Sequence, residues 1–415
     1  MKFLGFFRNT VVTESKNSRK EKTNSAGWKR RAAICLFPAI PAVLLRIISR
    51  TVPGFADRYT ELVNPLMVST IGRVSGIFPF SLFEVLLIVL AGYVIYCGLG
   101  LIKLLVNLMC SRFIKPDAGS FPEASDLSPK ADGKAAGTKS CPLLRHLRLL
   151  LLIAAVLFLL FEVSEDVYFA RTRFARRYGL ERTQYSNDEL YEVCLWLIDE
   201  INKTAPLVLR DEKSIMQVSP GLQDRVRGAM KALGEEYPEL SGFYPRPKPV
   251  FFSRLLSRVD ITGVYSMFTI EANYNRDIPP YNLPFTLAHE LSHLKGYESE
   301  KEANFLGVLS CIRSSDPDLH YSGAMLGWVY CGNEMIRRDK QKWKELSERI
   351  CPKAEGDLID NNRYWDQFEG KASETMHDIN DAYLKAEGLA EGYASYDLVT
   401  DMIVAWRLME TAGGK

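Results

Sequence analysis

The chain has 415 residues, 47% of them hydrophobic, and a formal net charge of +2. That is apolar material for one or two folded domains, and so balanced a charge gives no basis for nucleic acid as a partner. Most of the long apolar runs fall before residue 165.

Residues 1–31 carry nine Lys or Arg and read as a basic cytoplasmic arm. Residues 32–163 read as a membrane domain with three transmembrane helices, at about 32–49, 84–106 and 146–163. The first run, Ala32 to Leu45, is interrupted by Pro38 and Pro41. It approaches the roughly 20 residues of a span only if Ile47 and Ile48 join it and Arg46 snorkels. No small-residue cleavage site follows, which favours a retained anchor over a signal peptide. Val85 to Ile102 is uncharged between Glu84 and Lys103, and Leu149 to Phe161 is the core of the third run.

Positive charge sets the expected orientation. Nine basic residues precede the first run, seven lie from Arg112 to Arg148, and only Arg58 and Arg73 lie between Thr51 and Phe83. The bias puts the N-terminus and the flexible loop 112–145 in the cytoplasm and residues 164–415 outside. Arg171, Arg173, Arg176 and Arg177 count against this, although long domains translocate largely regardless of such charges.

Within Thr51 to Phe83, Phe55, Tyr59, Val63, Met67 and Ile71 recur every four residues. That period predicts packing against the C-terminal domain, or a place on the bilayer surface, while Pro65 argues against one unbroken helix. From Ser186 to Leu233 the pattern is helical, with Leu190, Val193, Leu197 and Ile201 in one stripe. Val250-Phe251-Phe252 and, better, Ile261 to Ile270 read as strands. Met325 to Met335, Trp343 to Ile350, Asp378 to Glu387 and Ser395 to Leu408 read as helices. The expected class is mainly α with a small β-sheet (α+β).

The chemistry concentrates at His289-Glu290-Leu291-Ser292-His293, in a chain with only five histidines. On a helix the two imidazoles leave one face a turn apart, a spacing at which both can bind one Zn2+. Glu290 then stands beside the metal as the base for a zinc-activated water. Pro284 suits the helix's first turn and Gly296 its stop. For a third ligand, Ser299 and Glu302 fit a capping box, which gives Glu302 a structural task. Glu300 pairs with Asn304 four residues on, an amide placed to hold a ligand histidine from behind. Glu302 remains the alternative ligand.

No further Cys or His lies within about fifteen residues of the motif, so a closed structural site lacks its usual fourth ligand. Candidates for steadying a developing oxyanion are His320, Tyr321, Tyr393 and Tyr396. Cys194, Cys311, Cys331 and Cys351 permit disulfides such as Cys311–Cys331, and buried free thiols equally.

The Glu300/Asn304 pair following the two histidines resembles the gluzincin metallopeptidases. Lys248 to Asn333 (PKPVFFSRLLSRVDITGVYSMFTIEANYN, LPFTLAHELSHLKGYESEKEANFL, DLHYSGAM), with NDAYLKAEG, SYDLV and FPFSLFE elsewhere, resembles a bacterial membrane-protein family, domain-of-unknown-function family 3810. Together these resemblances imply a multi-pass protein of the bacterial cell membrane, with the lipid bilayer and a peptide or protein substrate as partners. They imply zinc as cofactor, with His289, His293 and Glu300 as ligands and Glu290 as catalytic base of peptide hydrolysis. By the same resemblance, residues near Thr269 to Asn273 form a substrate-pairing edge strand; an ordinary strand is the alternative. The competing functions are an inactive membrane receptor or scaffold and a zinc hydrolase of a cell-wall bond.

Overall fold

The computed structural model describes residues 30, 33–113, 142–181, 184–371, 374–376, 378–379, 382 and 397–413. The basic arm apart from Arg30, most of the loop 112–145, most of the expected helix Asp378 to Glu387, and Tyr393 and Tyr396 lie outside the described residues. The chain forms two compact units, one drawn from Met1–Val43 and Leu86–Leu159, the other from Leu44–Val85 and Leu160–Lys415.

Among the described residues two helices, not the expected three, are long and apolar enough to cross a membrane: Leu82–Asn107 and Arg145–Arg177. The first expected span is cut by a turn at Leu36–Pro38, which leaves helix α1 (Ala39–Thr51) only 13 residues long. At 1.5 Å per residue that is about 20 Å, short of a hydrocarbon core of about 30 Å. The prolines that interrupt the run are the cause: neither Pro38 nor Pro41 can donate a backbone hydrogen bond.

Helix α2 (Phe55–Ser75) runs unbroken through Pro65, against expectation. Pro65 and Glu61, whose carbonyl it leaves unpaired, are both exposed, so that carbonyl is not shut inside the core. The buried stripe of α2 is Ala56, Thr60, Asn64, Val68, Gly72 and Ser75, small or polar at nearly every step. Its large apolar residues Leu62, Leu66 and Val74 face outward instead. Helix α3 (Leu82–Phe113) carries the first candidate span, whose apolar window is wholly exposed. Helix α4 (Pro142–Phe161) leads into a π-helical turn, Glu162–Asp166, where Arg46 pairs with Glu162 (3.1 Å) and Asp166 (2.5 Å).

In the second unit, Ser186 starts helix α5 (Asn187–Thr204) with a complete capping box: Glu189 N donates to Ser186 Oγ and Ser186 N to the Glu189 carboxylate. The predicted stripe Leu190, Val193, Leu197 and Ile201 is buried. Burying each such side chain stabilises by about 1.5–3 kcal/mol before entropy is counted. Helix α6 (Leu222–Glu236), α7 (Asn282–His293), α8 (Glu300–Ile312) and α9 (Pro317–Arg338) complete the central packing, with α5 laid along α9. A close approach fixes that pairing, because a Cβ on Gly327 would stand 2.8 Å from Leu197 Cδ2. Helices α10 (Lys340–Ser347), α11 (Pro352–Asp366) and α12 (Asp397–Gly413) follow. Cys194, Cys311, Cys331 and Cys351 are free thiols, with no disulfide among them. Burial pushes Cys311 up to about 12, which makes it inert.

The sheet is small, and the class is α+β as expected. Strands β1 (Leu209–Arg210) and β2 (Met216–Gln217) make a two-residue ladder. The second sheet has the order β3-β5-β4, from β3 (Lys248–Pro249), β4 (Gly263–Ser266) and β5 (Glu271–Tyr274). The expected long strand Ile261 to Ile270 is therefore only β4, because Met267–Ile270 make the turn into β5. Thr269 Oγ1 stabilises that turn through Ser266 Oγ (2.9 Å) and the Glu271 carboxylate (2.8 Å). The edge strand is also displaced from expectation: β5 is central and fully buried, so the outer strands of the sheet are β3 and β4.

Candidate metal centre

Helix α7 carries both motif histidines. Phe285 packs into the helical core, and Leu287, Leu291 and Leu294 into a second core beneath the sheet with Tyr265, Ile270 and Val68. As predicted, Pro284 lies in the first turn and Gly296, at φ +77, ends the helix. Gly296 N donates to His293 O at 2.7 Å. The reversal returns the chain to α8, whose first residue is Glu300.

The turn brings together three of the four predicted residues as a group able to hold a metal ion: His289, His293 and Glu300. The two Nε2 atoms are 3.0 Å apart, with Glu300 oxygens 3.4 Å from His289 Nε2 and 3.8 Å from His293 Nε2. Donors about 2.0–2.1 Å from one ion in a tetrahedron stand about 3.3 Å from each other, so the spacing fits a single cation. His293 Nδ1 lies 2.8 Å from the Tyr297 carbonyl, which only accepts. Nδ1 therefore carries the proton and the Nε2 lone pair faces the group. Asn304 stands near enough to His289 to favour its charged form, but His289 Nδ1 is buried with no hydrogen-bond partner among the described residues. Glu302 is not in the group, nor does it cap its own helix: Ser299 makes no side-chain cap bond. Its buried carboxylate accepts instead from Ala175 N at 3.2 Å.

Two of the three donors are in the form a cation needs, while His289 holds its proton more tightly than a free imidazole. Burial and the neighbouring His289 charge bring His293 down to about 4, so it is neutral at pH 7. Burial opposes ionisation of Glu300, but the His289 hydrogen bond and the two neighbouring imidazoles outweigh it and hold Glu300 at about 2. For His289, too, burial opposes the charged form and Glu300 outweighs it, raising its pKa.

Glu290 is buried beside the group, Oε1 4.0 Å from His289 Nε2, and burial raises it to about 8. Its Oε2 is buried with no hydrogen-bond partner among the described residues, while the Tyr265 backbone N–H favours the ionised carboxylate. Strand β4 passes directly over it: a Cβ on Gly263 would stand 2.7 Å from Glu290 Cδ and Cγ. A glycine inside a run of β-formers is the sequence signal for such a close approach. We expect Gly263→Ala to destabilise the fold by about 1–3 kcal/mol, since Glu290 Cγ as well as its carboxylate must move within a buried site, and to lower turnover about 10²-fold through that displacement. Thermal unfolding beside a turnover assay separates the two effects.

Sequence reasoning missed what holds the helix end. Asn64 Nδ2 donates to Leu294 O (3.1 Å), and Arg171 Nη1 to Lys295 O (3.2 Å) and Gly296 O (3.0 Å). Arg171 also lies 4.1 Å over the Tyr297 ring, whose carbonyl orients His293. We expect Arg171→Ala to weaken metal affinity about 10–100-fold, the usual penalty for losing an outer support. Titration with zinc and a competing chelator reads this directly; unchanged affinity removes Arg171 from the account.

Of the oxyanion candidates, His320 Nε2 is engaged with Glu200 (2.8 Å), and Tyr321 donates to Asp357 (2.6 Å). Neither joins the metal group.

Residues 59–404 match the family described as "Protein of unknown function (DUF3810)". The chain belongs to that family. No curated protein and no solved structure matches it.

Proposed function

We propose that this chain is a membrane-anchored, zinc-dependent metallopeptidase that hydrolyses peptide bonds. The observation that carries the reading is the convergence of His289, His293 and Glu300 beside a buried Glu290 with an unpartnered oxygen. Two histidines and one glutamate are the donor set of catalytic zinc sites that keep a fourth position open. Zinc, when bound, supplies a Lewis acid for a carbonyl and an activated water near neutral pH.

The chain's own residues do the rest. Glu290 accepts a proton at Oε2 and returns it to the leaving amine, with Tyr265 N–H steadying the carboxylate. The charge of a divalent ion beside it favours the ionised form against the burial that raises its pKa. Strand β4, free along one edge, offers backbone groups to an extended peptide by strand addition.

The domain lies outside the cytoplasm. The stretch from Arg112 to Arg148, which joins the two candidate spans, carries seven Lys or Arg and favours a hairpin with that loop inside. The nine basic residues of the N-terminal arm count against it, since a two-span hairpin puts them on the side of the domain. Of the four arginines that oppose this, Arg171 caps α7 and Arg177 pairs with Asp57 (3.3 Å). Incubating the full chain in detergent with a peptide library tests the activity. Cleavage stopped by a chelator and restored by zinc supports the reading; cleavage indifferent to metal, or none from a zinc-loaded chain, opposes it.

A further inference from the structure

The second unit carries an exposed apolar patch that no internal packing explains. It comprises Ile77, Phe78 and Phe80 on the turn between α2 and α3, and Phe251, Phe252 and Leu255 on the segment after β3. Ile77 is 76% exposed and Phe251 71%. The two segments are tied together through the first turn of α3. Both Glu84 carboxylate oxygens accept from backbone N–H groups, of Phe251 and Phe252, at 2.9 Å each. Glu271 of β5 accepts from Leu82 N (3.3 Å) and Phe83 N (3.0 Å), and the buried Lys248 of β3 joins Glu271 to Ser75 O.

We propose that this patch seats the second unit on the bilayer surface, as a membrane contact separate from the spans. The argument for lipid is continuity: the patch is hydrogen-bonded to the turn from which a candidate span departs. Residues so tied to the start of a span stand at headgroup depth. Aromatic and aliphatic side chains flanked by cations are the usual composition of such a contact. Arg254 and Arg258 are exposed beside Leu255, and Arg276 lies 6.0 Å over the Phe251 ring. The outward stripe of α2, Leu62, Leu66 and Val74, leads into Ile77 and extends the same apolar character. This accounts for the inversion of α2, whose small and polar face is turned inward.

The inference rests on α3 crossing the bilayer, so the test carries its own control. The full chain is placed in nanodiscs of phosphatidylcholine and phosphatidylglycerol, with acyl chains plain or brominated. Tryptophan emission added by Phe251→Trp, and separately by Leu99→Trp in α3, is compared with the parent chain. If the patch meets lipid, the Phe251→Trp increment loses most of its intensity to bromines near the headgroup, and the Leu99→Trp increment to bromines deeper in the chain. Quenching at 99 with solvent-like, unquenched emission at 251 overturns the seating and leaves the span. Blue-shifted but unquenched emission at 251 overturns it in favour of a second copy. No quenching at either position overturns the span and the seating together.

Discussion

Glu290→Gln should lower peptide cleavage by about 10²–10⁴-fold, the range lost when a positioned general base is removed. Glutamine keeps the shape of a side chain that is buried and lies under Gly263, so the fold and β4 have no cause to move. It also keeps the metal, because Glu290 is not among the three converging donors. Cleavage lost with metal retained is the signature of a base. Cleavage retained would show that Glu290 is buried for structural reasons alone.

The second large effect separates two glutamates that lie only two residues apart. Glu300→Ala should weaken metal binding by more than about 10²-fold, since loss of a mere outer support already costs 10–100-fold. Glu302→Ala should leave the metal in place and instead destabilise the fold by about 1–3 kcal/mol, by stranding the Ala175 N–H. Metal stoichiometry and thermal unfolding of both variants decide it. The reverse pattern would make Glu302 the ligand.

What could be read in advance was local. The four-residue histidine spacing, Pro284, Gly296, Glu300 and the stripe Leu190, Val193, Leu197 and Ile201 each depend on neighbours a turn or two away, and each stands where the pattern put it. What escaped depends on partners far along the chain. Arg171 reaches carbonyls more than a hundred residues ahead, and Asn64 more than two hundred, so no window of sequence contains either contact. The capping box at Ser299 failed for the same reason: Ala175, from a distant segment, takes the Glu302 carboxylate. Pro65 misled because the helix on either side of it is held by the packing of Ala56, Thr60, Asn64, Val68 and Gly72, which outweighs the roughly 3 kcal/mol that a proline costs inside a helix. Strand edges are likewise non-local, and β5 became the central strand only when β3 paired with the side of it that β4 leaves open.

The most direct measurement is a zinc titration of the metal-stripped full chain in detergent, beside His289→Ala, His293→Ala and Glu300→Ala. The account predicts one equivalent bound tightly by the parent and lost in all three variants, with their folds intact. A folded parent chain that takes up no zinc, or variants that bind as the parent does, would contradict it.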